Sequence, residues 1–491
     1  MKTPYPIQWL AGLLSCCLPG GYAAASNFEN LYRSPGATGA GHPTSRPDND
    51  CDSRSFQNEP VTIVLTSFHG DGYRGNTRVL FERLCDHSTL QPVWLSRNRN
   101  LVQDLKRQYG NEYACMTHSL AGIRTLNRAS AVFLTHGTSD YPFMRLPRRA
   151  LIIQTYHGLP TKRGEYLRPG NDGPPGFLHR KILEYRFRPI THFLSSSPLV
   201  TDLFSRRFNI PAERFLETGY PAYDRLASRT ECPAIGTNAV INIINGSNDS
   251  GADGVKHIKP GIPTPSRRFA EYWPEAPPST RLILYAPTFR RRSRTRWFPF
   301  EDRDLTALAA FLEQHRALMA LRAHPNDHTD LRALLNASPR IVSGGQEIAE
   351  DAMDLLPVTD AIITDYSSIY LEGLMRDIPP IFVPYDLGTY ERGCLMPYDE
   401  VTPGPKVYHQ HDLLAHLKMA LQKTDGRESE RSRVRHRYFA SQYGSTPDND
   451  GSDADSTDRL HARSEGIFKK PESACDRVIR FLEEQLLPAN S

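Results

Sequence analysis

Short apolar runs alternate with amphipathic stretches along most of the chain, and the alternation predicts two blocks of parallel strands and helices. In the first block, β-rich runs predict strands at 61–66, 92–95, 131–135, 151–155 and 191–195. A helical spacing follows the first of these strands, at 76–85. In the second block, the same patterns predict strands at 282–286, 318–322, 341–343, 361–364 and 380–384, and helices at 303–318, 328–337 and 367–376. We therefore predict two doubly wound α/β domains.

Polar segments rich in Gly, Pro, Ser and Asn divide the chain between these blocks. They predict a disordered lead-in, two Rossmann-like domains with a linker and insertion between them, a flexible acidic loop, and a C-terminal helix with its apolar spacing at 473–487. In chain order these segments are 1–59, 60–227, 228–280, 281–443, 444–465 and 466–491.

An apolar run of twelve residues at 7–18 stands near the start of the chain and is too short to span a bilayer. It has two interpretations. It resembles the apolar core of a signal peptide, with a faint lipid-anchor pattern ending at Cys16, or it is a loosely ordered segment that touches a membrane. We favour the second. No other stretch of the sequence approaches the length and apolarity of a transmembrane helix.

Composition excludes several classes of protein. The chain has 491 residues, 39% of them hydrophobic and 23% charged, which excludes a disordered polyelectrolyte. The net charge of +4 gives no case for a nucleic-acid binder. The eight Cys form no CxxC pair, so a zinc ribbon is excluded. The absence of a Walker loop and of GxGxxG, HExxH and GxSxG motifs argues against four common enzyme classes.

Polar clusters directly follow four of the predicted strands, and ligands of open α/β sheets bind at such strand ends. One cluster, Tyr156–Lys162, belongs to the first block. The other three belong to the second block, at 287–290, 323–325 and 365–368. This distribution predicts a ligand-binding cleft between two domains.

Each cluster has a possible chemical use and a structural alternative. Ser367 and Ser368 open a helix whose free N–H groups would bind a diphosphate, although a plain N-cap has the same pattern. Arg322 and His324 offer a cation and a donor, or belong to a surface loop. His157, before a glycine, could act as a general base, although an isolated histidine is usually structural.

An arginine run follows the strand at 282–286 and has five arginines in seven residues, Arg290, Arg291, Arg292, Arg294 and Arg296. The run is either a solvated loop or a surface that attracts a phosphate-rich acceptor or an anionic membrane.

With these residues in place, the chain resembles the CDP-glycerol glycerophosphotransferase family of teichoic-acid and capsule synthesis. The resemblance extends from about Val61 to about Gly404. It rests on ordered motifs, namely TSFHGDGYRGNTRVLFERL from 66, YHGLPTK at 156–162, GYPAYD at 219–224, YAPTFR at 285–290, RAHP at 322–325, TDYSSIYLEG at 364–373, DIPPIFVPYDLGTYERG at 377–393 and PGP at 403–405. Tyr156 stands where the family usually has Trp, and Ala222 where Arg is frequent.

The resemblance implies a GT-B fold, with two Rossmann-like domains facing across a cleft, the first for the acceptor and the second for a CDP-activated donor. It implies that His157 is the catalytic base and that His324 offsets charge on the diphosphate. The donor-binding residues it implies are Tyr156, Gly158, Leu159, Pro160, Pro287, Thr288, Arg322, Ala323, Ser367, Ser368 and Glu372.

The function implied is transfer of glycerol phosphate, or a related polyol phosphate, from a CDP-alcohol to a hydroxyl of a polyol-phosphate or lipid-linked acceptor, with release of CMP. We expect no obligatory metal or other cofactor, no nucleic-acid partner, and peripheral attachment to the cytoplasmic face of an anionic membrane. Two alternatives remain: a GT-B glycosyltransferase that uses a nucleotide sugar, and a non-catalytic polymer-binding scaffold. The residues do not distinguish glycerol from ribitol as the polyol.

Overall fold

The computed structural model of the protein describes six stretches of the chain, namely residues 60–167, 176–227, 265–277, 279–290, 294–443 and 472–487. The predicted lead-in at 1–59 lies outside the described residues. So do the predicted acidic loop, Arg291, Arg292 and most of the predicted insertion at 228–280.

The first sheet has seven parallel strands in the order β3-β2-β1-β4-β5-β6-β7. Each strand is short and mostly buried, as a parallel sheet covered on both faces requires. The elements are β1 (Val61–Leu65), α1 (Gly75–Leu84), β2 (Leu90–Ser96), α2 (Arg99–Tyr109), β3 (Ala114–Met116), α3 (Leu120–Arg128), β4 (Ala131–Leu134), β5 (Leu151–Gln154), α4 (Phe177–Phe187), β6 (His192–Leu194), α5 (Pro198–Phe208), β7 (Phe215–Leu216) and α6 (Pro221–Ala227).

The second sheet has five parallel strands in the order β10-β9-β8-β11-β12. Helix α7 (Pro265–Tyr272) precedes it. The remaining elements are β8 (Arg281–Tyr285), α8 (Leu305–Gln314), β9 (Ala317–Leu321), α9 (Arg332–Leu335), β10 (Ile341–Ser343), β11 (Ala361–Thr364), α10 (Ile369–Leu374), β12 (Pro380–Phe382), α11 (Tyr398–Val401), α12 (Gln410–Gln422), α13 (Glu428–Tyr443) and α14 (Ala474–Leu486).

The predicted α/β class with parallel sheets is confirmed, and every predicted strand is present. Two helix predictions were wrong in extent. The helix predicted at 303–318 ends at Gln314, because Arg316 adopts a left-handed conformation (φ 49°) and strand β9 begins at Ala317. The helix predicted at 328–337 shrinks to α9, because the Asp327 and Asp330 side chains accept hydrogen bonds from Thr329 N and Arg332 N and hold the preceding residues in turns.

The last helices pack back onto the first sheet. Ser441 N donates to Ser196 O (3.0 Å), and the Ser196 hydroxyl donates to Tyr438 O (2.6 Å). The Asp224 carboxylate accepts from the first backbone N–H groups of α14, which places the predicted C-terminal helix against α6. Within the described part of the chain, no helix combines the length and apolarity needed to span a bilayer.

Candidate active site

The predicted ligand-binding residues follow strands that lie at, or one strand away from, the points where the strand order of each sheet reverses. In the first sheet β1 has β2 on one side and β4 on the other, and in the second sheet β8 lies likewise between β9 and β11. The loops after such strands diverge to opposite faces and leave a crevice at their carboxyl ends. Residues Thr135–Asp140 follow β4, Tyr156–Lys162 follow β5, Ala286–Arg290 follow β8, and Asp365–Ser368 follow β11.

His157 is held as a neutral imidazole with one nitrogen free for chemistry. Its Nδ1 lies 3.1 Å from Thr135 O, a carbonyl that only accepts, so Nδ1 carries the proton and Nε2 carries the lone pair. His157 is an exposed residue, yet many protein atoms lie around its ring and reduce its solvation. Burial lowers the pKa of His157 to about 4, against the opposing effect of the Thr135 hydrogen bond. At neutral pH the ring can therefore accept a proton at Nε2.

Two further histidines, His136 and His69, lie beside this ring, and the sequence did not point to either of them. The His136 ring lies parallel to His157, with centroids 3.8 Å apart, and His69 follows at 4.3 Å from His136. The pKa of His136 is lowered by burial and then by the His157 and His69 rings, so the stack is uncharged at neutral pH. The Asp140 carboxylate accepts from the backbone N–H groups of His69 and His136 and fixes both loops.

The other residues of the YHGLPTK motif are anchored differently. Tyr156 has a left-handed backbone (φ 57°), and its hydroxyl accepts a hydrogen bond from Arg207 Nη2 (3.0 Å). Its ring packs against three phenylalanines of the first sheet, Phe193, Phe204 and Phe208. Leu159 and Pro160 are buried. These three residues shape the loop beneath the site rather than its open surface.

In the second sheet, hydrogen bonds and ion pairs fix the loop that follows β8. Thr288 N donates to Asp365 Oδ1 (2.8 Å), while the buried Thr288 hydroxyl has no hydrogen-bond partner among the described residues. Pro287 is buried beside it. Arg290 is 3% exposed and is fully engaged, because its guanidinium bonds Asp365 (2.9 Å) and both oxygens of Asp386 and lies between three tyrosine rings. Arg290 therefore positions the loop.

The two sheets approach most closely at Gly158. A Cβ at this position would lie 3.3 Å from Ser368 Oγ and 4.0 Å from Glu372 Oε1, so a larger residue would crowd both groups. Ser368 caps α10, yet its side chain makes no capping hydrogen bond, and Ser367 beside it is half-buried. Glu372 is 4% exposed and receives the Tyr223 hydroxyl at Oε1 (3.3 Å). Burial raises the pKa of Glu372 to about 8.

Arg322 and His324 differ in exposure, since Arg322 is buried and His324 is exposed. The Arg322 guanidinium donates its hydrogen bonds to four backbone carbonyls, those of Gly344, Gly345, Ala349 and Glu350. It therefore holds the loop after β10. His324 is exposed next to half-buried Ala323, stacks on Phe289 with centroids 5.5 Å apart, and accepts from Asn326 N at Nδ1.

Two further features lie outside this set. In the described part of the arginine run, Arg294 is exposed, and the Arg296 guanidinium lies 5.5 Å from the centre of the Tyr385 ring. Among the described residues, one group of three side chains has ligand atoms close enough to share a metal ion, namely Asp302, His409 and His411, all exposed. Its His411 Nδ1 lies 2.8 Å from Asp302 Oδ2.

Comparison with known families identifies the scaffold. The family model of CDP-glycerol:poly(glycerophosphate) glycerophosphotransferases matches residues 52–248 and 275–449, which is most of the chain. The chain belongs to this family. The predicted family and the predicted transferase class are confirmed. Glycerophosphate transfer from CDP-glycerol is the activity by which the family is described, so the predicted function holds at the level of the family.

Individual proteins similar to this chain are named as enzymes of teichoic acid synthesis. The chain is 26% identical over 379 residues to a teichoic acid glycerol-phosphate transferase of Staphylococcus aureus (strain NCTC 8325 / PS 47), covering 72% of this chain and 83% of the relative. It is 24% identical to a teichoic acid poly(glycerol phosphate) polymerase of Staphylococcus epidermidis, of which it spans 46%. The solved structure of the wall teichoic acid polymerase TagF, 20% identical, superposes with a TM-score of 0.59 over 87% of this chain and 91% of that chain.

Proposed function

We propose that this chain transfers glycerol phosphate from CDP-glycerol to a hydroxyl of a polyol-phosphate or lipid-linked acceptor and releases CMP. The observation that carries the proposal is the neutral His157 ring with an unprotonated Nε2, next in the chain to Gly158, where the first sheet's loop meets Ser368 and Glu372. A base and a set of diphosphate-binding groups are thus combined in one crevice.

In the proposed reaction, the acceptor hydroxyl gives its proton to His157 Nε2 while its oxygen attacks the β-phosphorus of the donor. The bond from that phosphorus to the bridging oxygen breaks, and CMP leaves with the bridging oxygen and its electron pair. His324, the free Thr288 hydroxyl and the Ser367–Ser368 helix start offset charge on the diphosphate. Glu372, still protonated at neutral pH, can donate to a hydroxyl or phosphate oxygen.

The arrangement of the two sheets supports a GT-B enzyme with an acceptor domain at 60–227 and a donor domain at 281–443. In that arrangement, both strand-order reversals face one cleft, as the contact of Gly158 with α10 indicates. Helices α13 and α14 would then tie the second domain back to the first.

We propose that the protein offsets phosphate charge without a metal ion. Several basic side chains lie close together between the sheets, since the charge of Lys162 interacts with those of Arg207 and Arg392. CMP release in EDTA at the rate seen in Mg²⁺ would agree with this, and loss of activity in EDTA that Mg²⁺ restores would contradict it.

Attachment to an anionic membrane on the cytoplasmic side is also proposed, from exposed apolar side chains next to basic ones. Phe177 is 70% exposed at the start of α4, and Arg180 and Lys181 lie within about 6 Å of its ring. Such a combination suits anionic headgroups. Flotation with anionic but not with neutral vesicles is the expected result.

The experiment that tests the proposed function is a CMP-release assay. CDP-glycerol, CDP-ribitol and UDP-sugars are offered as donors with a panel of polyol-phosphate and lipid-linked acceptors. Release of CMP from CDP-glycerol in the presence of acceptor is the expected result. Release of UMP or UDP from a nucleotide sugar, or binding of polymer with no release of nucleotide, would overturn the proposal.

A further inference from the structure

Lys162 occupies a fixed position between the two sheets. Residues 161–164, after β5, pair with residues 392–395, after β12, and we call these two segments the inter-sheet strap. Lys162 forms an antiparallel bridge with Cys394, Leu395 N donates to Thr161 O (3.0 Å), and Arg163 N donates to Gly393 O (3.2 Å). Because both sheets hold the strap, the Lys162 side chain stands where the sheets meet.

The other cations of this region already have partners. Arg207 pairs with Glu165 (2.5 Å), Arg290 pairs with Asp365 and Asp386, and Arg392 donates to Arg163 O. Lys162 forms no ion pair within the described stretches of the chain. Its ammonium interacts with the charges of Arg392, Asp365, Arg290 and Arg207, and also with Glu372 and Cys394.

Glu372, on α10 after the second sheet's strand β11, has one oxygen without a partner among the described residues. Its Oε1 accepts from Tyr223, but its Oε2 is buried without a hydrogen-bond partner among the described residues. Burial and the neighbouring arginines lower the pKa of Lys162 to about 7, and burial raises the pKa of Glu372 to about 8. A half-buried amine and a buried acid thus interact where the two sheets meet. Within the described residues Lys162 forms no ion pair there and Glu372 keeps one oxygen unpaired, so a ligand could supply the missing partners.

We propose that Lys162 is a phosphate-binding residue, whose ammonium binds an anionic phosphate of the substrate while the neutral acid of Glu372 lets the anion approach. The proposal rests on the proposed function and adds a binding group to it. The phosphate is either that of the donor diphosphate or that of a phosphodiester in the acceptor, and the two sources are separated below. Because the ammonium must be charged in the complex, binding draws a proton onto Lys162 above its pKa.

Calorimetric titration of the full chain with CDP-glycerol tests the donor arm. At pH 6.5, Lys162→Met should weaken binding by roughly 10- to 100-fold, the range for loss of a hydrogen bond to a charged group. Lys406→Met is the matched control, because Lys406 is also half-buried but donates to Thr402 O (2.8 Å) and pairs with Asp399, so affinity should be unchanged.

The pH dependence separates binding from mere support of the fold. In a Glu372→Gln background, which removes the second titration, affinity should fall by up to tenfold per pH unit above about pH 7. Adding Lys162→Met should abolish that fall, whereas Lys162→Arg should keep high affinity at both pH values. A Lys162→Met protein that binds CDP-glycerol as tightly as wild type, and with the same pH dependence, rules out the donor phosphate.

A glycerol-phosphate oligomer tests the acceptor arm. If donor affinity is unchanged in Lys162→Met but the KM for the oligomer rises tenfold or more, the bound phosphate belongs to the acceptor. If both quantities equal those of wild type, the proposal is overturned. Inorganic pyrophosphate keeps the test independent of the reaction: weaker pyrophosphate binding by Lys162→Met supports the site even if wild type releases no CMP, which would refute only the proposed function.

Discussion

His157 owes its tautomer to the carbonyl of Thr135 and its low pKa to burial, and its ring stacks on that of His136. We predict that His157→Gln lowers kcat by about 10²- to 10⁴-fold, the usual contribution of a general base, while the Kd for CDP-glycerol stays close to that of wild type. Single-turnover CMP release and calorimetry measure the two quantities. His192→Gln is the control, since His192 is a half-buried histidine of the same sheet that packs on Phe481. Undiminished turnover in His157→Gln would remove this residue from the mechanism.

Glu372 makes stability depend on pH with a defined sign. Its pKa in the folded protein, about 8, exceeds the unfolded value near 4.5, so the unfolded state loses its proton first as the pH rises. The free energy of unfolding should therefore fall between about pH 4.5 and 8, by at most about 1.4 kcal/mol per pH unit from this group. Urea unfolding of wild type and Glu372→Gln measures the difference, which should grow in favour of the variant with rising pH. Equal slopes for the two proteins would contradict the assignment.

At this scale the sequence predicted part of the site. The strand-end rule placed His157 and Ser368 in one crevice and the family resemblance added Glu372, and the structure brings Gly158 close to Ser368 and Glu372. The same rule applies to the strand at 131–135, and would have found His136 and Asp140 had it been applied there. The setting of Lys162 could not be predicted, because it depends on antiparallel pairing with residues more than 200 positions away.

Among the elements, α14 is held in place by the GYPAYD motif at 219–224, one of the motifs on which the family resemblance rests. Asp224, the last residue of GYPAYD, accepts from Ala474 N and Cys475 N (2.9 Å each) at the start of α14. Asp224→Ala should therefore lower the free energy of unfolding by about 1–2 kcal/mol, as loss of a helix cap does, and speed amide exchange in 474–486. Glu484→Gln, an exposed change on the same helix, should alter neither. Unchanged exchange in the Asp224 variant would show that other contacts hold the helix.

The loop after β8 depends on Arg290. Its planar guanidinium binds Asp365 and Asp386 at once, which a lysine ammonium cannot do in the same geometry. Arg290→Lys should lower the free energy of unfolding by about 3 kcal/mol, within the range for breaking a buried pair. Arg340→Lys is the control, because its partner Glu313 is exposed and such surface pairs contribute about 1 kcal/mol or less. Urea unfolding measures both, and equal losses would show that the Arg290 cluster is not special.

The elements that were predicted well and poorly differ in what determines them. Parallel strands are continuous apolar runs, so all ten predicted strands appear. Strand β3 was missed because Ala114–Met116 contains no β-branched or aromatic residue, and β7 because it has only two residues. The limits of helices depend on side chains that cap or interrupt them. Asp327 and Asp330 bind nearby backbone N–H groups and replace most of a helix that apolar spacing alone predicted.

At the scale of the whole molecule, we expect the arginine run at 290–296 to attract an anionic polymer acceptor from a distance. Arg290 is buried in the loop, so the run presents Arg294 and Arg296 to solvent, with Arg291 and Arg292 outside the described residues. Basic residues near an anionic surface contribute about 1 kcal/mol each, screened within a Debye length of about 8–10 Å. Replacing Arg291, Arg292, Arg294 and Arg296 with Ser should raise the KM for polymer and flatten the salt dependence of activity, while the Kd for CDP-glycerol changes little.

Removing four positive charges lowers the net charge of the protein wherever they lie. A control variant that loses four positive charges elsewhere separates this general effect from one that is local to the arginine run. Lys418, Lys423, Arg433 and Arg437 lie on or next to α12 and α13, and replacing all four with Ser gives the same change in net charge. If attraction is local to the run, only the run variant alters the KM for polymer, because salt confines the effect of each charge to about a Debye length. Equal effects of both variants would mean that net charge alone governs acceptor capture, and no effect of either would make the run a solvated loop.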